Sequence, residues 1–182
     1  MTSVDPKPTA ARHLAVAAVA AGIILVVGVV VFVLTNIEGV VYVQAKTIRS
    51  IEALDYAGAV FGVTVPLALW RMVPLALGAF VSFWLIAPLR PELRVGGAIG
   101  RSFVAVFIAL VVVVIVTLIR LIADNQSSLS PSAGNPVDTR LYLLIGGSLL
   151  HDAWTTLSTT FLLVVATGLG AWGWMRDRAL RA

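Results

Sequence analysis

Four long apolar stretches separated by short polar segments dominate the chain. The first, residues 14–34, runs for 21 positions without a charge. As a helix it would extend roughly 31 Å, the thickness of a bilayer's hydrocarbon core. A cleavable leader would carry a shorter apolar region followed by a small-x-small site, and Thr35-Asn36-Ile37-Glu38 offers no such site, so a retained span is expected. The second stretch, 57–89, is interrupted by Arg71. A span over 67–89 puts that guanidinium near one end, where it can snorkel to the headgroups. Pro66 then suits the first turn. The third span, 102–123, is almost purely Val, Ile and Leu over 109–118 and is expected to face lipid widely. The fourth apolar stretch, 141–175, is divided by His151-Asp152, and 153–175 suffices for a crossing. The ten residues 141–150 are too few to cross. They are open to three readings: re-entrant, surface-lying or an extension of the last helix.

These spans predict an all-α, four-transmembrane-helix bundle forming a single integral membrane domain over 1–182, with up-down connectivity. Segments 35–66 and 124–152 are the outer loops. Ile48, Ile51 and Leu54 fall three apart among charged residues, which suggests an amphipathic surface helix over 42–56. Loop 90–101 is short and basic, with three arginines against one glutamate. Placing both termini in the cytoplasm puts Lys7, Arg12, Arg90, Arg94, Arg101, Arg176, Arg178 and Arg181 inside, against Lys46, Arg49, Arg71, Arg120 and Arg140 outside. The inner groups lie directly beside spans, where positive charge governs orientation. Trp70, Trp84, Trp172 and Trp174 fall toward span ends, as interfacial rings do.

Composition agrees with this pattern. The chain is 59% hydrophobic and 12% charged, against about 25% charged for a typical soluble chain. The net charge of +4 reads as headgroup contact and topology control, and no nucleic-acid partner is expected. With no cysteine and two histidines, thiolate chemistry, disulfides and Cys-ligated metal are excluded, and no cofactor or metal site is expected.

Two sets of polar residues stand out. Arg71, Arg120, Asp124, His151 and Asp152 fall near the outer ends of spans two to four and form a candidate outer polar cluster, with Asp152 paired to Arg71 or Arg120. Thr155, Thr156, Thr159 and Thr160, with Ser158 between them, form a candidate polar path or helix seam on the fourth span. Gly78 with Ser82 and Ala166 with Gly170 are small-xxx-small pairs suited to close helix contact. The expected function is that of a noncatalytic accessory or complex-forming subunit of a bacterial plasma membrane. Its partners would be the lipid bilayer and other membrane helices or further copies of itself. A small oligomeric transporter or channel and an intramembrane enzyme are the alternatives.

Overall fold

The computed structural model describes residues 8–47, 58, 60–124 and 139–181. Four helices make up nearly all of this: α1 Pro8–Thr47, α2 Val65–Val81, α3 Val95–Asp124 and α4 Thr139–Arg181. Wider π-helical turns, Val60–Thr64 and Ser82–Ile86, flank α2. No strand occurs among the described residues. Four segments are long and apolar enough to cross a membrane: His13–Asn36, Phe61–Ile86, Val95–Ala123 and Ile145–Arg181.

The helices outrun the apolar spans read from the sequence. Helix α1 continues to Thr47, through the first part of the stretch read as a loop; the remainder of the expected surface helix over 42–56 lies outside the described residues. Helix α3 begins at Val95 rather than Ser102, so the connection to α2 shortens to 87–94. Residues 141–150 extend α4, which settles the three readings of that stretch. Helical hydrogen bonding does not stop where hydrocarbon ends, so hydropathy marks the membrane-embedded length and not the helix.

Contacts between α1 and α2, α2 and α3, α3 and α4, and α1 and α4 close a ring of four. The faces turned inward carry small side chains at helical spacing: Ala17, Ala20 and Gly28 on α1; Ala68, Ala76, Gly78 and Ala79 on α2; Ala98, Ser102, Ala105 and Ala109 on α3. Larger side chains such as Val26, Leu34, Leu77, Phe107, Ile119 and Leu162 point outward. A water-soluble bundle would reverse this. In lipid, burying a leucine between helices gains little, whereas small residues let backbones approach and multiply dispersion contacts.

The closest approaches are at two glycines. A Cβ on Gly78 would lie 2.5 Å from the Ala109 Cα, so α2 and α3 touch backbone to backbone there. On α4, a Cβ on Gly168 would run into the Ser102 hydroxyl oxygen and lie 3.1 Å from Phe83 Cζ. Gly168→Leu is therefore expected to lower stability by about 1–3 kcal/mol through overpacking, read as a drop in thermal midpoint in detergent. Between helices, Arg101 Nη1 donates to the Pro88 carbonyl, tying the start of α3 to the 87–94 connection.

Candidate functional site

At one end of the bundle, α1, α2 and α4 leave a crevice between them. It is lined by Gly28, Val31, Phe32, Thr35 and Asn36 of α1, Arg71 and Met72 of α2, and Thr155, Thr156, Thr159, Thr160 and Leu163 of α4. Within it, the room for the centres of water molecules amounts to about 60 Å³. Its polar wall arises because α4 places Thr156 and Thr160 one turn apart on its buried face, with Thr155 and Thr159 beside them. Its floor is apolar. Met72 packs into the notch at Gly28, where a Cβ would lie 2.7 Å from the Met72 Sδ and 3.6 Å from Leu163 Cδ2.

Arg71 stands in the crevice wall and meets Asp152 across the bundle, Nη2 to Oδ1 at 2.6 Å. Its guanidinium also lies 5.5 Å from the centre of the Phe32 ring, a favourable placement over the electron-rich ring face. Both charged side chains are between a quarter and a third exposed. A charge within a spanning segment needs such a partner or a route to water.

Two other members of the predicted outer cluster, Arg120 and His151, go elsewhere. Arg120 lies 5.4 Å over the Trp70 ring and lines a separate, largely apolar groove between α2 and α3, with Pro66, Leu67 and Val116. Asp124 is the last residue of α3. His151 is exposed, pointing away from its neighbour Asp152 as adjacent helical positions do, and is not part of the crevice lining. The structure thus brings Arg71 and Asp152 together, with the threonines next to Arg71, and leaves Arg120 and His151 outside that group. Among the described residues, no three His, Asp or Glu side chains gather as a metal site would require.

Most of the threonine hydroxyls donate to their own helix: Thr155 to the His151 carbonyl at 2.8 Å, Thr159 to Thr155 at 2.7 Å and Thr160 to Thr156 at 2.5 Å. On α1, Thr35 donates to Val31 at 2.9 Å, and the Asn36 Nδ2 to Phe32 at 2.8 Å. Their protons thus committed, these groups present oxygen lone pairs outward. Thr156 differs: it is 2% exposed and its hydroxyl has no partner among the described residues.

The α1 side of the crevice escaped the sequence reading. Thr35 and Asn36 follow directly on the first apolar stretch, and their position as the first polar residues after a span was the available signal. Which face of α1 they occupy depends on packing. Comparison with family models, with curated proteins and with solved structures returns no match for this chain.

Proposed function

We propose that this chain is a noncatalytic multi-pass membrane protein that works as an accessory or complex-forming subunit. The observation that carries the reading is an inversion on α4. Of the four candidate spans it is the least apolar, yet the smallest share of it is buried in the bundle. Lipid contact would favour the reverse order, with the most apolar helix outermost. The exposed face of α4 runs through Leu150, Trp154, Ser158, Leu162, Ala166, Gly170 and Trp174, spaced four apart. Ala166 and Gly170 form a small-xxx-small pair, and none of the described residues approaches the Cβ position of Gly170 within 4 Å. Beside them an apolar slot of about 370 Å³ opens between α1 and α4, walled by Val16, Ala20, Ile23, Gly170, Ala171 and Trp174. Small residues and a slot suit a partner's transmembrane helix.

The same reading places the helices up-down with both termini in the cytoplasm of a bacterial plasma membrane. The short, arginine-bearing connection 87–94 supports that layout. A second reading, a small oligomeric transporter or channel, draws on the threonine-lined crevice. It requires the Met72–Gly28–Leu163 floor to open, and the subunit reading does not.

Native mass spectrometry of the protein purified from its own membranes in mild detergent tests the proposal. The expected result is a complex of fixed stoichiometry with another integral membrane protein, cross-linked through a photoreactive residue at Ala166 but not at Leu77 or Phe107, which are also exposed. A monomer, or a uniform homo-oligomer that carries solute flux in liposomes, would overturn it.

A further inference from the structure

We infer that the crevice between α1, α2 and α4 is a water-binding vestibule, open to one face of the membrane and closed at its floor. The inference is independent of what α4 docks against. Four observations meet there. The space is finite and sheltered, with about 60 Å³ open to the centres of water molecules, room for a few waters. Thr156 is part of its lining, its buried hydroxyl lacks a partner among the described residues, and a buried hydroxyl left unpaired is costly. The other hydroxyls and the Asn36 carbonyl oxygen offer acceptors, since Thr35, Asn36, Thr155, Thr159 and Thr160 already direct donors to backbone carbonyls. Finally, the one formal charge in the wall, Arg71, is neutralised by Asp152.

That last point selects the ligand. With the wall's net charge at zero, the site has no excess charge to hold a free cation or anion. A mixture of acceptors with the spare N–H groups of Arg71 suits a molecule that both donates and accepts. Water does both at the required size, and bound water ordinarily makes about three hydrogen bonds to otherwise unsatisfied groups. It also explains how an arginine persists within a spanning segment: one side of its guanidinium meets Asp152, and the other meets water. The floor of Met72, Gly28 and Leu163 supplies no polar group to continue the chain of waters.

Because the chain contains no cysteine, single cysteines report water directly: the reactive species is the thiolate, which forms in water and not in hydrocarbon. Thr155→Cys, Thr159→Cys, Leu162→Cys and Val164→Cys are each treated with a membrane-impermeant charged thiol reagent applied to one face, in folded protein verified by its elution in detergent. The two crevice cysteines are expected to be modified, and only from the face opposite residue 92. Leu162→Cys, 74% exposed on the outward face of α4, and the buried Val164→Cys stay unmodified. Exposure alone therefore does not produce the signal. If Asn36→Cys at the mouth reacts while neither crevice cysteine does, the crevice is dry and the inference is wrong. Modification of the crevice cysteines from both faces would overturn the closed floor.

Discussion

Asp152→Asn is expected to lower the stability of the bundle by about 2 kcal/mol, and Arg71→Met by distinctly less. Removing one member of a fully buried ion pair costs about 3–5 kcal/mol because the survivor keeps an uncompensated charge. Here each side chain retains some exposure, which brings the figure down. The asymmetry comes from chemistry. A carboxyl group in general has a neutral form open to it, whereas a guanidinium stays charged at any pH a protein survives. Arg71→Met combined with Asp152→Leu removes both charges and is expected to return close to the parent's stability. Thermal unfolding in mild detergent, followed by helical circular dichroism, reads all three. A double variant as unstable as Asp152→Asn would show that the pair does more than neutralise itself.

Gly78→Ala carries the other large effect, a loss of about 3 kcal/mol. One methyl group is added, and in an ordinary helix the exchange gains about 0.5–1 kcal/mol. At Gly78 that methyl would lie 2.5 Å from the Ala109 Cα. Backbone cannot rotate out of the way as a side chain can, so α2 and α3 must separate and lose the contacts on either side. Gly170→Ala is the control: none of the described residues lies within 4 Å of its Cβ position, and the isolated chain is expected to be unchanged or slightly more stable. The same thermal measurement on both variants decides the matter. Equal responses would mean that the α2–α3 approach is not as close as described.

The contrast between these two glycines shows what the sequence could disclose. Gly78–Ser82 and Ala166–Gly170 are indistinguishable as small-xxx-small pairs, yet one lies at a backbone contact and the other faces open space. Local spacing says that a helix can be approached closely, and only packing decides by what. The four helices long and apolar enough to cross a membrane were legible because lipid imposes a length and an apolar composition that few other structures share. The ends of α1, α3 and α4 were not, since a helix continues into water without a hydropathy signal. In the polar set, the sequence offered Asp152 two arginines of similar depth. The structure puts Arg71 against it and directs Arg120 to Trp70. That choice depends on the rotation of each helix about its axis, which no single charged residue encodes. Thr35 and Asn36 joined the crevice for the same reason.

Every part of this account requires the four helices to cross a bilayer, each satisfying its own backbone polar groups in hydrocarbon. Oriented circular dichroism of the protein in aligned lipid bilayers tests this most directly. The predicted result is helices close to the bilayer normal, at tilts of about 20°, with the signal retained after an alkaline wash. Helices lying in the plane of the membrane, or protein released by the wash into detergent-free solution, would contradict it.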